Sequence, residues 1–168
     1  MTDVHSPDIR SKNMRAIRSK DTVPELLIRR ALHASGLRYS LHRKNLPGTP
    51  DLVFRQYHSV VFIHGCFWHG HRGCRYFKLP QSRPEFWRQK ISKNTANDAA
   101  AVAALVRTGW RVAVVWECAL KQKKPDEMKE LVGRIHNWIT SADETCPAEF
   151  SAVSNPNTDK PWPSSTRR

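Results

Sequence analysis

The amino-acid sequence predicts an α/β fold in which a central mixed β-sheet is flanked by helices within one domain. Two almost wholly apolar runs, residues 60–63 and 112–116, have the length and composition of buried central strands. Between these runs, residues 84–107 have the pattern of a long helix with an alanine-rich stretch. The 168 residues are enough for one domain with a hydrophobic core.

The first elements are helical. Ser11 is a suitable N-cap for a short basic helix over residues 11–18. Thr22 and Glu25 have the spacing of a capping box and predict a second helix, which should end near Gly36. The chain therefore begins with two helices.

Strands and helices alternate after that point. Residues 39–43 and 52–54 are short β-favouring runs that precede the first buried strand. The long helix should end at Gly109, and residues 126–140 have apolar side chains at helical spacing. The predicted order is therefore α-α-β-β-β-α-β-α, which is typical of a mixed sheet covered by helices.

The composition changes near residue 141. Residues 141–168 are rich in Ser, Thr and Pro and show no periodic apolar face. We expect residues 1–140 to form the single domain and residues 141–168 to be a disordered or loosely docked tail.

The chain is strongly basic. It contains 28 Lys plus Arg against 15 Asp plus Glu, a formal net charge of +13 at pH 7. This charge attracts polyanions such as nucleic acid, although a basic protein without such a partner is an alternative. No apolar run approaches the roughly 20 residues that span a bilayer, and the N-terminus lacks the apolar core of a signal peptide. We therefore expect a cytoplasmic protein without membrane association.

The segment from His64 to Cys74 contains three histidines and two cysteines directly after a predicted buried strand. Structural zinc is bound by four sulfur and nitrogen ligands in a tetrahedron, and disulfides are rare in the cytosol. The expected zinc ligands are Cys66, His71, Cys74 and, as the fourth, Cys118. Cys146 is the competing fourth ligand, and buried thiols with a surface histidine are the alternative to a metal site. The remaining His64 and His69 are candidates for acid–base chemistry.

An acidic motif lies before the first buried strand. The segment LPGTPDLVF places Asp51 at the start of a strand, after a rigid turn with two prolines and a glycine. Many nucleases place such an aspartate next to a metal-binding group on the adjacent strand, so that both reach one Mg²⁺. Here the adjacent stretch Phe62-Ile63-His64 lacks an acidic residue, although a backbone carbonyl can bind Mg²⁺. A capping or turn aspartate is the alternative.

Five segments, in this order and spacing, closely resemble the very-short-patch repair endonucleases: SKNMRAIRSKDT, LPGTPDLVF, FIHGCFWHGH, EFWRQKISKN and VVWECAL. The likeness covers about residues 4–138. It implies a restriction-endonuclease-like core, in agreement with the predicted element order. It also implies an enzyme that nicks double-stranded DNA on the 5′ side of the thymine in a T:G mismatch, which arises when 5-methylcytosine deaminates.

The resemblance implies a catalytic metal site. Asp51 and the backbone carbonyl of Ile63 would hold Mg²⁺, with two ions at the scissile phosphate. Glu25 and His64 would position metal-bound waters around that phosphate. The family often has Thr at position 63, but only the carbonyl is needed, so Ile63 should have little effect.

The resemblance also implies a general base and a zinc site. His69 would take a proton from the attacking water and would be oriented by Asp98. Cys66, His71, Cys74 and Cys118 match the family's structural zinc ligands. The spacing between His71 and Cys74 is one residue longer than in family members, which affects the expected geometry of the zinc site.

DNA contacts follow from the same resemblance. Phe67 and Trp68 would insert beside the mismatch from the major groove, and Met14 would enter from the opposite groove. Core packing for the aromatic pair and an ordinary helix contact for Met14 are the alternatives. Trp87, Trp110, Trp116 and Trp138 are expected in the core.

A basic segment near the N-terminus is expected to contact phosphates. Its residues are Arg10, Lys12, Arg15, Arg18 and Lys20, and Arg29 and Arg30 extend the positive surface. We expect residues 1–20 to be a DNA-contacting arm, although a solvated basic helix face is the alternative. The expected partners are double-stranded DNA with a T:G mismatch and other mismatch-repair proteins, with the chain acting as a monomer.

Two other functions are compatible with parts of the pattern. One is an endonuclease of the same fold that cuts unmodified sites or branched DNA. The other is a zinc-stabilised DNA-binding module without catalysis. Asp51 and His69 argue against the module, which needs neither residue, and Phe67 and Trp68 favour a distorted substrate such as a mismatch.

Overall fold

In the part of the chain that the structure describes, five strands form one sheet and lie side by side in sequence order. The structure is a computed structural model that describes residues 20–121, 123–141 and 147–152 of the chain. The strands are β1 Ser40–Leu41, β2 Leu52–Phe54, β3 Ser59–His64, β4 Arg111–Trp116 and β5 Ala148–Phe150. β1, β2 and β3 pair antiparallel, whereas β3, β4 and β5 pair parallel. The predicted central mixed sheet is therefore confirmed.

Three helices flank this sheet in the part of the chain that the structure describes. They are α1 Val23–Ala34, α2 Pro84–Arg107 and α3 Pro125–Thr140, each within two residues of its prediction. α1 begins as the capping-box spacing predicts, since the backbone N–H of Thr22 donates to Oε2 of Glu25 at 3.4 Å. The predicted helix over residues 11–18 lies outside the described residues. None of the described helices is both long enough and apolar enough to cross a membrane.

Side chains alternate along β3 and β4 and create one core on each face of the sheet. Val61 and Val115 pack into the core that contains the apolar faces of α1 and α3. Phe62 and Val114 pack into the second core, which contains the apolar side chains of α2. His64 has the same parity along β3 as Phe62 and therefore points to the α2 face, where the functional site lies.

β5 corrects part of the expectation for residues 141–168. Ala148–Phe150 pair in parallel with β4, and Phe150 is 6% exposed, so this stretch belongs to the sheet. A strand of three residues is too short to show an alternation of apolar and polar side chains in the sequence. Pairing with β4, rather than intrinsic β-propensity, stabilises β5. The strand forms because β4 offers an edge and the adjacent core accepts Phe150.

Candidate active site and metal centre

An open cavity of about 690 Å³ lies where β2 begins and β3 ends. The antiparallel pairing of these strands places the start of one beside the end of the other, and α2 forms the opposite wall. The cavity is lined by five of the predicted site residues: Asp51, Ile63, His64, His69 and Asp98. Residues that are distant in the sequence thus share one solvent-accessible space.

Asp51 lies against the backbone of β3. Its Oδ2 accepts a hydrogen bond from the backbone N–H of Ile63 at 2.7 Å. In a strand, the N–H and C=O of one residue point to the same side, so the carbonyl of Ile63 is also directed toward Asp51. Burial raises the pKa of Asp51 to about 6, despite the opposing effect of the Ile63 hydrogen bond. The site therefore contains a poorly solvated carboxylate next to a backbone oxygen.

The turn before β2 positions Asp51. Gly48 has a φ of +71°, which favours glycine. A Cβ atom at Gly48 would lie 2.7 Å from Cβ of Ala101 in α2 and 3.1 Å from the ring of Phe62. The glycine therefore allows the turn to approach both α2 and β3, and this close approach directs Asp51 into the cavity.

Two stacked histidines also line the cavity. Nδ1 of His69 lies 2.6 Å from Oδ2 of Asp98, and the ring of His69 stacks on His64 with centroids 3.8 Å apart. His64 is 5% exposed, and its burial lowers its pKa well below the ordinary value, with a further lowering by His69. His64 is thus neutral at pH 7, and Asp98 orients His69.

Glu25 lies behind this cavity in a buried ion pair. It contacts the guanidinium of Arg29, and its Oε1 is 3.0 Å from Nε2 of His42. Arg29 also binds Asp21 at 2.5 Å and is only 8% exposed. The expectation that Arg29 extends the positive surface is therefore wrong, because Arg29 is buried and its charge is compensated by the buried Glu25 and the exposed Asp21.

His42 is a site residue that the sequence analysis missed. Its Nδ1 faces Oδ1 of Asp51 at 3.7 Å, and its Nε2 lies 2.7 Å from Arg29, which can only donate. The same Nε2 also lies 3.0 Å from Oε1 of Glu25. His42 thereby connects Glu25 with Asp51. The sequence shows only that a histidine precedes the LPGTPD motif. The backbone of His42 has a positive φ of 44°, and this conformation brings its ring to the carboxylates of Glu25 and Asp51.

The metal loop, residues 64–74, folds with Cys118 into a compact cluster of donors. Cys66, His71, Cys74 and Cys118 each offer one ligand atom, and these atoms all lie within 4.8 Å of one another. Tetrahedral zinc, with Zn–S of about 2.3 Å and Zn–N of about 2.0–2.1 Å, requires sulfur and nitrogen about 3.5 Å apart. Nδ1 of His71 lies 3.5 Å from Sγ of Cys118. The four predicted ligands therefore form a Cys₃His cluster that could hold a metal ion, and the longer spacing between His71 and Cys74 does not prevent this.

Three aromatic rings meet beside the cavity. Phe67, Trp68 and Trp87 contact one another edge to face, with centroids 5.2–5.8 Å apart. All three are half-buried, so the expectation that Trp87 is a core residue is wrong. Asn94 of α2 donates to the carbonyl of Trp68 at 2.9 Å. α2 thus holds an aromatic cluster that is accessible to solvent.

The other predicted tryptophans differ in burial. Trp116 and Trp138 are each 3% exposed, which confirms their core positions. Trp110 is half-buried and stacks on His58 with centroids 4.2 Å apart. Its core prediction is therefore confirmed only in part, because one ring face covers an exposed histidine.

Most of the predicted basic arm lies outside the described residues. This applies to Arg10, Lys12, Met14, Arg15 and Arg18. Lys20 is described, exposed and part of the cavity wall, together with the exposed Lys44. These two lysines place positive charge at the entrance of the site.

Comparisons with known proteins relate this site to an established group. The family described as DNA mismatch endonuclease Vsr matches residues 2–75. The type II nicking enzyme V.XorIIP of Xanthomonas oryzae is 55% identical over 139 residues, which cover 83% of this chain and 98% of that enzyme. The DNA mismatch endonuclease Vsr of Escherichia coli is 45% identical over 139 residues, or 88% of its length.

A third relative is similarly close in sequence. The type II nicking enzyme V.NmeAIP of Neisseria meningitidis is 46% identical over 123 residues, which cover 73% of this chain and 87% of that enzyme. These identities extend over nearly the whole length of each relative. The chain therefore belongs to the Vsr family of DNA mismatch endonucleases.

Proposed function

We propose that the chain is a Mg²⁺-dependent endonuclease that nicks double-stranded DNA on the 5′ side of the thymine in a T:G mismatch. The observation that carries the proposal is that Asp51, the backbone of Ile63 and the His69–Asp98 pair line one open cavity. A carboxylate for a hard cation and an oriented imidazole base are the two parts that phosphodiester hydrolysis requires. Lys20 and Lys44 at the cavity wall suit a phosphate.

The residues fit Mg²⁺. This ion prefers oxygen ligands and usually binds through one or two carboxylates while it keeps several waters. Asp51 supplies a carboxylate that is poorly solvated by its surroundings, and Ile63 supplies a carbonyl on the same side. Bound there, Mg²⁺ would stabilise negative charge on the attacking and leaving oxygens.

His69 is suited to deprotonate the attacking water. Hydrogen on Nδ1 is donated to Asp98 at 2.6 Å, which leaves the lone pair of Nε2 free to accept a proton. As the water oxygen bonds to phosphorus, its proton passes to Nε2, and the bond between phosphorus and the leaving sugar oxygen breaks. Asp98 then stabilises the imidazolium. His64 stays neutral beside it and does not repel the new charge.

The aromatic cluster supports a mismatched substrate. Insertion of a side chain between base pairs costs a few kcal/mol of unstacking, and this cost is lowest where the bases are already mispaired. Phe67 and Trp68 are half-buried, mutually supported and anchored to α2 through Asn94. They can thus act as a preformed wedge that selects a weakened step.

The Cys₃His cluster fits a structural zinc ion. Three thiolates and one imidazole in a buried site form one of the common structural zinc sets. Zinc there would join the loop that carries Phe67, Trp68 and His69 to the end of β4. It would hold the wedge and the base in one position relative to the sheet.

The proposal is tested with purified protein and a duplex containing one T:G mismatch, in Mg²⁺. Asp51→Ala should abolish nicking while the affinity for the duplex stays within about tenfold, because a carboxylate that holds metal contributes little to DNA affinity. Asp126→Ala, on the exposed first turn of α3, is the matched control and should behave like the wild type. Loss of binding together with loss of nicking would contradict the catalytic assignment.

A fully matched duplex in the same assay distinguishes mismatch-directed nicking from a second candidate function. Two of the relatives described above are named type II nicking enzymes, which favours sequence-directed nicking as the alternative. Equal nicking of matched and mismatched duplexes would support that alternative and remove the mismatch from the proposal.

A further inference from the structure

The residue that follows β5 contacts the metal cluster. Oγ of Ser151 lies 3.2 Å from Nε2 of His71 and 3.7 Å from Sγ of Cys118. Both contacts join the C-terminal stretch to residues that form the Cys₃His site. Neither His71 nor Cys118 is near Ser151 in the sequence, so the sheet creates this contact.

The two nitrogens of His71 have different environments. Nδ1 lies 3.5 Å from Sγ of Cys118, which is the separation that a shared zinc ion requires. Nε2 lies 3.2 Å from Oγ of Ser151. A histidine that binds metal through Nδ1 carries its hydrogen on Nε2, and an acceptor for that hydrogen fixes the tautomer.

One hydroxyl can serve both ligands in their metal-bound forms. Oγ of Ser151 can accept the Nε2 hydrogen of His71 and donate its own hydrogen to the thiolate of Cys118. A thiolate and a neutral imidazole are the protonation states in which cysteine and histidine bind zinc. The arrangement of Ser151 therefore favours the loaded site.

β5 reaches His71 by a second route. The indole of Trp116 stacks on His71 with centroids 4.0 Å apart and planes 5° apart. The Nε1 of the same indole donates to Oε1 of Glu149 at 3.1 Å. Glu149 and Ser151 thus act on one side of the strand, while Phe150 enters the core on the other.

We propose that Ser151 is a positioning residue for the zinc site, so that the C-terminal strand and the metal stabilise each other. The inference rests on the zinc site of the proposed function. Outer hydrogen-bond partners of metal ligands typically contribute 10–100-fold in metal affinity. The C-terminal stretch accordingly stabilises the metal centre as well as extending the sheet.

The test measures how fast zinc leaves the full-length, zinc-loaded protein when the chromogenic chelator 4-(2-pyridylazo)resorcinol is in excess. Ser151→Ala should release zinc about tenfold faster or more than the wild type. Threonine and valine have nearly the same shape, but only threonine has a hydroxyl. Zinc release should therefore be slow in Ser151→Thr and fast in Ser151→Val. Ser92→Ala, an exposed serine of α2, is the control and should match the wild type.

The outcomes are distinct. Release from Ser151→Ala and Ser151→Val at the wild-type rate would overturn the role of Ser151 while leaving the zinc site intact. If Ser151→Ala failed to fold, the Thr and Val pair would decide. Wild-type protein without one zinc per chain in metal analysis would contradict the zinc site itself and this inference with it.

Discussion

Nδ1 of His69 lies 2.6 Å from Oδ2 of Asp98, and this pair joins the metal loop to the middle of α2. The bond orients the imidazole and directs its other nitrogen into the cavity that Asp51 also lines. The same helix holds the preceding residue through Asn94, which donates to the carbonyl of Trp68. α2 therefore positions both His69, the proposed base, and Trp68 of the proposed wedge.

Asp98→Asn should lower the single-turnover nicking rate on a mismatched duplex by about 10²–10⁴-fold. The amide cannot stabilise the imidazolium and can select the wrong tautomer of His69. The affinity for the duplex should not change. Asp126→Asn on α3 is the matched control, because Asp126 is exposed. An unchanged rate for Asp98→Asn, measured by rapid quench, would remove His69 as the general base.

Asp51→Asn should stabilise the Mg²⁺-free protein in a pH-dependent way. The pKa of Asp51 is raised in the folded state from 3.8 to about 6, so the native state binds more protons than the unfolded state between these values. The stability that Asp51 contributes is then fully present below pH 3.8 and lost as the pH rises through about 6. At pH 7.5 the variant should gain about 2–3 kcal/mol in free energy of unfolding.

Urea unfolding at pH 5 and pH 7.5 measures this gain. The advantage of Asp51→Asn over the wild type should be larger at pH 7.5. Added Mg²⁺ should stabilise the wild type but not the variant. If the variant were more stable than the wild type by the same free energy of unfolding at pH 5 and pH 7.5, burial would not control the ionisation of Asp51.

Gly48→Ala should destabilise the fold by about 1–3 kcal/mol. The new Cβ would meet Ala101 at 2.7 Å, and the backbone has a φ of +71°. Because the turn would shift, Asp51 should move and nicking should also fall. Gly133→Ala in α3 is the control: space is open there, and alanine should stabilise the helix by about 0.5–1 kcal/mol. Thermal melts that ranked the two variants in the opposite order would refute the role of the turn.

Cys118→Ser should lose zinc and lower the melting temperature, because only three ligands would remain. Cys146, which lies outside the described residues, is the matched control, since Cys146→Ser should retain one zinc per chain. Elemental analysis after gel filtration measures the zinc content per chain directly. Equal zinc in both variants would exclude Cys118 as a ligand.

The sequence was sufficient to predict the three described helices, the central strands and the cluster of Cys and His side chains. Periodicity and caps identified α1 and α2, and the apolar runs identified β3 and β4, because burial of these elements dominates their composition. The Cys₃His cluster was predictable since Cys66, His71 and Cys74 lie within nine residues and Cys118 follows a buried strand.

Other parts depend on contacts that no local pattern encodes. β5 is too short for periodicity and exists through pairing with β4. Arg29 looks like a surface cation in the sequence but lies in a buried pair with Glu25. His42 becomes part of the site only through an unusual backbone conformation. Trp87 joins the aromatic cluster with Phe67 and Trp68 because α2 lies against the metal loop.

The most direct test compares nicking of two duplexes of the same sequence, one with a T:G mismatch and one with a T:A pair, in several cytosine-methylation contexts with Mg²⁺. We expect a single nick on the 5′ side of the mispaired thymine, no nick in the matched duplex, and no reaction in EDTA. Zinc-loaded, folded protein that binds these duplexes but cuts neither would contradict this expectation.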